Sequence, residues 1–435
     1  MISDSRLDGA PQKVIESLEQ PVTKGVAEEI PHSRLISSPP GWPELASDAL
    51  EGLPGDIVNV IRPYTEADPV ALLINLLVGF GNLVGSGPHY RVEETKHPPR
   101  LFAVLLGESS KGRKGQSWST PRRLFADVDK AWEQKVTSGL SSGEGLIYHV
   151  RDSLGADCGV SDKRVLVIEE ELSRTLRVAQ RQENVLSAVL RQAWDSGDLR
   201  VLTKNNPLKA TGAHVSIVGH ITIEEVTRYL TATEQANGFG NRFLWLLVRR
   251  TQSIPNPTGV PEGLYAELVR RLQEAVRLAA NVGEMKRDTE AESDWASIYD
   301  SLANGKPGLT GTLLARAESQ VLRLSLVYAL MDQSPTVRSP HLRAACAVWD
   351  YVEASVRYVF GASKTGDPSV DKITEALWRS GQMDETEIHS LFGRNAPPGE
   401  VDRALSVIFG QGLAVVASDP SRGRPRNVWR PTKKG

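Results

Sequence analysis

The sequence has little cysteine, little net charge and no apolar run long enough to cross a membrane. Two cysteines, Cys158 and Cys346, stand far apart in 435 residues, which excludes the close spacing of a metal-binding pair. Lys and Arg (51) nearly balance Asp and Glu (53), which excludes a strong overall field for nucleic acid. The most apolar stretch, residues 70–84, contains Asn75 and Asn82 and is shorter than a membrane span. We therefore expect a cytoplasmic protein with reduced core thiols and no membrane contact.

A signal peptide and internal repeats are also absent. The first residues, MISDSRLDGAPQ, lack the charged-then-apolar order of a secretory signal. With 40% hydrophobic and 24% charged residues, the composition is that of an ordinary soluble globular protein. A chain of this length accommodates about two to four domains.

The stretch LFAVLLGESSKGRKGQS (residues 101–117) is an apolar strand followed by a loop rich in glycine, serine and lysine. Apolar residues at helical spacing follow it. In such a strand–loop–helix unit, backbone amides face a phosphate and a lysine neutralises it. Gly107 and Gly112 keep the P-loop spacing G-x-x-x-x-G-K-[ST], but Arg113 stands where lysine is expected and Lys114 comes next. The predicted nucleotide-binding residues are Gly107, Ser110, Lys111, Gly112, Arg113, Lys114, Gly115, Gln116 and Ser117; a solvated loop is the alternative.

Three glutamates follow the short apolar run RVLVI (residues 164–168), which predicts a central parallel strand buried on both faces. Carboxylates at the end of such a strand hold Mg²⁺ and orient the attacking water in P-loop ATPases. We expect Glu169 near the metal and Glu170 as the residue that activates water. Glu144, in a glycine-rich turn before a helix, is a second candidate base. A solvated strand end is the alternative.

Two further polar residues are candidates for the same chemistry. His220 ends the apolar run HVSIVGH, predicted as a strand beside the glycine-rich loop, where it could sense a γ-phosphate. Arg242 ends the glycine-rich loop GFGNRF and could act in trans on a neighbouring subunit's nucleotide. A hydrogen-bonded histidine and an ordinary surface arginine are the respective alternatives.

Two basic patches could contact nucleic acid. One is a predicted hairpin with its turn at residues 205–207, and the other is the C-terminal tail, where basic side chains follow one another without an acid. The predicted DNA-binding residues are Lys204, Asn205, Lys209, Arg422, Arg424 and Arg426. A solvated basic face is the alternative for each patch.

The chain divides by composition and periodicity into five segments. Residues 1–40 are polar and rich in proline, which predicts a mobile arm, and residues 41–90 form a helical N-terminal support. Residues 91–255 carry the α/β core, and residues 256–362 are helical throughout. Residues 368–435, with three helices and a hairpin, predict a winged helix-turn-helix.

Taken together, the motifs resemble a bacterial and phage P-loop family whose members often follow a bifunctional primase-polymerase domain. The residues that carry the resemblance lie between about 40 and 360: ADPVALLINLLVGFGNLVG, LLGESSKGRKGQSWS, GLSSGEGLI, VLVIEEE, AWDSGDLRVLTKN, GHIT, GFGNRFLW and RLSLVYALMD. The family looks like RecA-type hexameric helicases. The resemblance implies an α/β RecA-like P-loop NTPase core with helical N- and C-terminal additions and a C-terminal winged helix. It also implies ATP and Mg²⁺ as cofactors, Lys114 as the phosphate lysine and Ser117 as the Mg²⁺-binding hydroxyl.

The resulting hypothesis is an ATP-dependent DNA helicase or translocase that serves replication of a phage or mobile element. Its partners would be DNA, single-stranded in this interpretation, and further copies of the chain, as in a hexamer. One alternative is a nucleotide-switched DNA-binding or loader protein without processive unwinding. Another is a defence or regulatory ATPase whose C-terminal part contacts a protein.

Overall fold

The computed structural model describes residues 34–36, 41–109, 112–181, 184–202, 208–230, 234, 237–305, 308–360, 367–393, 397, 399–419 and 426–432. The predicted arm at residues 1–40 therefore lies outside the described residues except for 34–36.

The described strands, in chain order, are β1 Arg34–Leu35, β2 His89–Val92, β3 Thr95–His97, β4 Phe102–Leu106, β5 Val136–Thr137, β6 Arg164–Glu169, β7 Leu199–Val201, β8 Leu208–Ala210, β9 His214–Ile221, β10 Phe243–Leu247, β11 Gln252–Ser253, β12 Glu284–Met285, β13 Met383–Asp384, β14 Ala414–Asp419 and β15 Arg426–Pro431.

The described α-helices are α1 Gly52–Ile61, α2 Pro69–Val84, α3 Gln116–Val128, α4 Lys130–Glu133, α5 Gly143–His149, α6 Leu172–Ala179, α7 Leu186–Asp195, α8 Ile223–Tyr229, α9 Glu262–Ala279, α10 Thr289–Ala303, α11 Gly308–Leu314, α12 Ala317–Met331, α13 Ser339–Phe360, α14 Pro368–Ser380, α15 Glu385–Leu391 and α16 Glu400–Gly410. Short 3-10 turns occur at Ser47–Leu50, Arg62–Tyr64 and Gly240–Arg242.

A five-stranded parallel sheet with the order β10-β4-β9-β6-β5 forms the centre of the protein. Strands β4, β9 and β10 are buried along their whole length, and β6 is buried except at its first residue. Helices connect the strands, so the fold is of the α/β class. The apolar runs before the glycine-rich loop and at residues 164–168 correctly predicted β4 and β6, because strands covered on both faces have no polar side to alternate with. The two-residue strand β5 was not predicted.

Helix α2 packs directly on the sheet. The Asp68 side chain caps it by accepting a hydrogen bond from the Val70 amide at 3.0 Å, and Pro69 occupies the first helical position, where its missing N–H costs no hydrogen bond. Farther along, the Asn82 side chain donates to the carbonyl oxygens of Val165 (2.9 Å) and His214 (3.1 Å). An asparagine in an otherwise apolar helix therefore joins α2 to β6 and β9.

Helix α13 covers the outer edge of the sheet at β10. The Tyr351 hydroxyl donates to the Leu247 carbonyl at 2.8 Å, and the Leu247 amide donates to the Ser355 hydroxyl at 3.1 Å. Side chains of a helix thus satisfy backbone groups that an open edge strand would leave exposed.

Two hydrophobic cores are present in the described residues. One runs from Ala49 to Phe360, so the predicted segments 41–90, 91–255 and 256–362 share it. The other, from Val370 to Trp429, belongs to α14–α16 and the antiparallel sheet β13-β15-β14. The prediction of buried thiols was wrong for Cys158, which is exposed. The stretch 256–362 is also not helical throughout, because β12 pairs with β2.

Candidate functional site

The carboxyl ends of four neighbouring strands, β4, β9, β6 and β5, lie along one edge of the sheet, and the loops after them carry most of the predicted site residues. The glycine-rich loop follows β4, and His220 lies near the end of β9. Glu169 is the last residue of β6, Glu170 follows it, and Glu144 belongs to the helix after β5. Edges of this kind are where open α/β sheets bind ligands.

The glycine-rich loop needs small residues at two of its positions. A Cβ at Gly107 would lie 2.3 Å from the Val248 carbonyl oxygen, and one at Gly112 would lie 2.9 Å from that of Glu108. Gly115 and Gln116 are exposed where the loop enters α3. The Ser117 and Trp118 amides already donate to carbonyls of the loop, so at this end the Gln116 amide, which has no acceptor among the described residues, can donate to an anion. Ser110 and Lys111, also predicted to bind nucleotide, lie outside the described residues.

Lys114 reaches back across the loop. Its ammonium group donates to the carbonyl oxygens of Gly107 (2.5 Å) and Glu108 (3.0 Å). Burial lowers the pKa of Lys114, although the negative charges of Glu225, Glu224 and Glu108 oppose that shift. The cation therefore lies directly beyond the end of β4, inside the curve of the loop.

Arg113 is tied to another part of the chain. Its Nε donates to Oε2 of Glu66 at 2.9 Å, and its backbone has a φ of 50°. Glu66 is buried and also accepts from the Arg250 guanidinium and, at 2.8 Å, from the Ile254 amide. Burial alone would raise the pKa of Glu66, but these hydrogen bonds and charges lower it overall, so the carboxylate is ionised.

Ser117 has an environment that the predicted metal-binding role did not anticipate. Its side chain is fully buried, with 0% exposure. The hydroxyl donates to the Lys114 carbonyl at 2.6 Å and accepts from the Asn75 side-chain amide of α2 at 2.9 Å. In this arrangement Ser117 fixes the loop to α2, and its hydroxyl is not open to a metal ion.

The acidic residues after β5 and β6 differ in their surroundings. Glu169 is buried at the end of β6, and its Oε1 accepts from the backbone amides of Gly139 and Leu140, the latter at 2.6 Å. It thereby holds the loop that leads into α5, where Glu144 is half-buried in the first turn. Glu170 is exposed directly after β6. Glu170 is therefore open to solvent and Glu144 partly so, whereas Glu169 is engaged by the loop.

His220 is buried on β9, paired in register with Leu105 of β4. Its Nε2 has no hydrogen-bond partner in the part of the chain that the structure describes. Burial, and secondarily the charge of Lys114, lower the pKa of His220 to about 4, so the ring is neutral at pH 7. A neutral imidazole with an unpartnered nitrogen can donate to or accept from a ligand held by Lys114.

Arg242 lies at the amino-terminal end of the sheet strands, immediately before β10. Its side chain is 8% exposed and pairs with Asp195 (Nη2 to Oδ2, 2.6 Å), and it also donates to the Gly238 carbonyl. The expectation of an arginine that reaches a neighbouring subunit is therefore corrected. The guanidinium is committed to a pair inside its own chain, because the end of α7 brings Asp195 beside it.

Only part of the two predicted DNA-binding patches falls within the described residues. Lys209 is exposed on β8 and lies 3.9 Å from the Asp152 carboxylate. Arg426 is exposed on β15 and lies 3.2 Å from that of Asp384. Lys204, Asn205, Arg422 and Arg424 lie outside the described residues.

Several residues that shape this edge were missed from the sequence. They are Glu66 and Arg250, which anchor Arg113; Asn75, which anchors Ser117; and Glu224 and Glu225 near Lys114. For Asn75 a signal existed, since an asparagine inside an apolar helix needs a polar partner. For the others none did, because acidic and basic residues are ordinary at a surface.

No helix in the described part of the chain is long and apolar enough to cross a membrane. A comparison with protein-family models gave no match, and none was found among curated proteins.

Proposed function

We propose that the protein is an ATPase of the P-loop class with a RecA-like core, and that it couples nucleotide hydrolysis to movement on DNA. The observation that carries the proposal is the arrangement around β4. The glycine-rich loop with Lys114 follows this strand, and the strand that ends in glutamates, β6, lies two places away with β9 between them. This arrangement supports the proposal, because in P-loop ATPases the phosphate-binding loop and the acidic residues lie at the carboxyl ends of neighbouring strands.

The residues at this edge fit a polyphosphate. Gly107 and Gly112 let the loop pack closely against the Val248 and Glu108 carbonyls, and Lys114 supplies a cation inside the loop. His220 supplies the unpartnered buried nitrogen next to that cation. In this proposal Lys114 neutralises the β- and γ-phosphates, His220 contacts the terminal phosphate, and Glu170 orients a water molecule, with Glu144 as the second candidate. Bound Mg²⁺ would neutralise developing negative charge on the phosphates.

DNA is proposed as the second substrate. Support comes from the β7–β8 hairpin with its exposed Lys209 and from the C-terminal unit, whose three helices and three-stranded antiparallel sheet suit a winged helix. An oligomer is part of the proposal, but Arg242 has no role in it. Any arginine supplied by a neighbour must be a different one.

The test is ATP turnover with and without single-stranded DNA. We expect Mg²⁺-dependent turnover that Lys114→Ala abolishes and that DNA stimulates. Lys130→Ala, which removes an exposed lysine on α4, is the matched control and should behave as wild type. Turnover that survives in Lys114→Ala would refute the assignment of the site.

A second candidate is a nucleotide-switched DNA-binding protein that does not unwind. One observation favours it: the Ser117 hydroxyl and the Glu169 carboxylate are both occupied by contacts within the chain, so two groups expected at the metal are engaged. Affinity for single-stranded DNA that changes with ATP, together with no strand displacement, would support this candidate over the first.

A further inference from the structure

A cavity of about 670 Å³ lies at the amino-terminal ends of the sheet strands, whereas the glycine-rich loop lies at their carboxyl ends. Its walls come from β2, β3, α10, the start of α12 and the turn before β10. His97 and Asn241, which line it, precede β4 and β10 respectively, so it lies at the amino ends of these strands. Because β4 alone spans roughly 15 Å, the cavity and Lys114 are separate places in the molecule.

Three guanidinium groups line this cavity. Arg287 is the most buried, with 4% of its side chain exposed. It donates to the Tyr90 hydroxyl (3.0 Å) and to Glu292 (3.2 Å), while its buried Nε has no partner among the described residues. Arg91 is more exposed and pairs with Glu284 at 2.9 Å.

The third guanidinium, that of Arg316, belongs to a group of four that lie around Asp195. Arg242 and Arg316 both pair with Asp195, at 2.6 and 3.5 Å. Arg100 and Arg323 are buried behind them, and neither has an ion pair of its own among the described residues.

Positive charge therefore exceeds negative charge at the base of the cavity. Arg100 is used to cap the end of α7, since it donates to the Ala193 and Trp194 carbonyls at 2.6 and 3.3 Å. Arg323 stacks 3.6 Å above the Trp194 ring, and its Nε is buried without a described partner. The carboxylates that act on these four guanidinium groups are Asp195, Asp198 and Glu318, so positive charge is in excess, and burying it is costly unless an anion compensates it.

His97 is a further buried group in this cavity, and its pKa is affected by the nearby guanidinium groups. Burial, followed by the charges of Arg323 and Arg316, lowers the pKa of His97 to about 4. Its Nδ1 is buried and has no partner in the described part of the chain. The cavity is thus lined by a neutral imidazole and cationic groups, with Glu318 as the acid among its lining residues.

Aromatic rings form another part of the wall. Trp295 and Tyr299 stand one turn apart on α10, with ring centroids 5.9 Å apart, and Tyr299 is 46% exposed. Arg287 lies 4.0 Å from the Trp295 ring centroid and 4.6 Å from that of Tyr90. Aromatic faces and guanidinium groups in one cavity are the combination that binds a base together with its phosphate.

We propose that this cavity is a second nucleotide-binding site, in which Trp295 and Tyr299 stack on a base while Arg287 and Arg316 bind its phosphate. The cavity volume lies within the range of small-molecule sites and suits one nucleotide unit. That unit can be a free mononucleotide or one nucleotide of a single strand. The proposal stands apart from the glycine-rich loop and does not depend on ATP hydrolysis.

The experiment is calorimetric titration of the full chain with adenosine 5′-monophosphate, with adenosine and with a short oligothymidylate. A monophosphate lacks the β-phosphate that a P-loop lysine holds, so it reports on the cavity. We expect the monophosphate to bind wild type and Lys114→Ala equally, and to bind Arg316→Gln at least about tenfold more weakly. Adenosine should bind more weakly than the monophosphate. Arg270→Gln, on the exposed face of α9, is the matched control and should match wild type.

Two outcomes decide the source of the nucleotide. If the oligothymidylate binds and displaces the monophosphate, the cavity holds a unit of a strand; if only the monophosphate binds, it holds the free nucleotide. Tyr299→Ala, at an exposed ring, guards against a folding defect in Arg316→Gln and should also weaken binding. The proposal is overturned if neither probe binds at millimolar concentration, or if both variants bind as wild type does.

Discussion

The Arg113 guanidinium donates a hydrogen bond across 2.9 Å to the buried carboxylate of Glu66, a residue 47 positions earlier in the chain. The same carboxylate binds Arg250 and the Ile254 amide, so it joins the glycine-rich loop, the segment before α2 and the chain after β10. This contact accounts for an arginine where the P-loop pattern has lysine. Its charge holds the loop in place, and the proposed function therefore assigns the phosphate to Lys114.

Lys114→Ala and Arg113→Ala should therefore change different properties, the first ATP affinity and the second the free energy of unfolding. The first should weaken ATP binding at least tenfold, because a charge-assisted hydrogen bond contributes about 1.5–3 kcal/mol. The second should leave ATP affinity within about threefold but lower the free energy of unfolding by about 1–3 kcal/mol, since Glu66 stays buried with one cationic partner fewer. Calorimetric titration and chemical denaturation measure the two effects. Equal losses of ATP affinity in both variants would contradict this division of roles.

The contact between Ser117 and Asn75 predicts an energetic coupling. Ser117→Ala removes an acceptor and leaves the Asn75 amide buried without it, which should cost about 1–3 kcal/mol of unfolding free energy. Asn75→Ala should cost a similar amount. In the double variant the two losses should be less than additive by about 1 kcal/mol, as measured by denaturant unfolding. Additive losses would show that the hydrogen bond does not stabilise the fold.

Substitutions of Glu144, Glu169 and Glu170 should have different effects on turnover and stability. Glu170→Gln is expected to lower ATP turnover by about 100-fold or more while ATP affinity is kept, because an exposed general base acts on water and not on binding. Glu169→Gln should instead lower stability, since Glu169 accepts from the Gly139 and Leu140 amides. Glu144→Gln is the matched comparison. If it abolishes turnover and Glu170→Gln does not, the base is on α5.

Asp68 should make stability depend on pH. Burial raises the pKa of Asp68 from 3.8 to about 6, although the hydrogen bonds from the Arg249 and Val70 amides lower it in part. Because the folded state holds this proton more tightly, the stabilisation is complete below about pH 4 and is lost as the pH rises through about 6. Asp68→Asn keeps an acceptor for the helix cap and cannot titrate. The unfolding free energy of wild type minus that of the variant should fall by about 1–3 kcal/mol from about pH 4 to about pH 7.5. A difference that is flat or rises with pH would contradict the assignment.

Arg242→Ala should act through stability within one chain. It leaves the Asp195 carboxylate, which is 43% exposed, with Arg316 alone at 3.5 Å, and it relieves repulsion on Arg316 and Arg323, so the unfolding free energy should fall by only about 1 kcal/mol. Mixing this variant with Lys114→Ala subunits should restore no ATP turnover beyond that of either alone. Restored turnover would show that Arg242 reaches a neighbouring site after all.

Local patterns along the chain were sufficient to predict the elements that build the candidate site. Strands β4 and β6 were recognisable because each is buried on both faces and has an almost continuously apolar sequence. Strand β9 was recognisable although its buried sequence includes His214, Ser216 and His220. The start of α2 was recognisable because aspartate followed by proline has a local capping role. The glycine-rich loop and the glutamates after β6 were found for the same reason, since each motif lies within a few residues of chain.

The sequence by itself thus determined the elements, the loop and the edge of the sheet that holds them. The tertiary structure alone decided which charged and polar residues are free to act. Arg113 and Glu66, Ser117 and Asn75, and Arg242 and Asp195 are pairs separated by 42 to 47 positions. Whether an arginine or a serine meets a ligand or a buried partner depends on what the fold brings beside it. No local pattern carries that information, because the partner belongs to a distant segment.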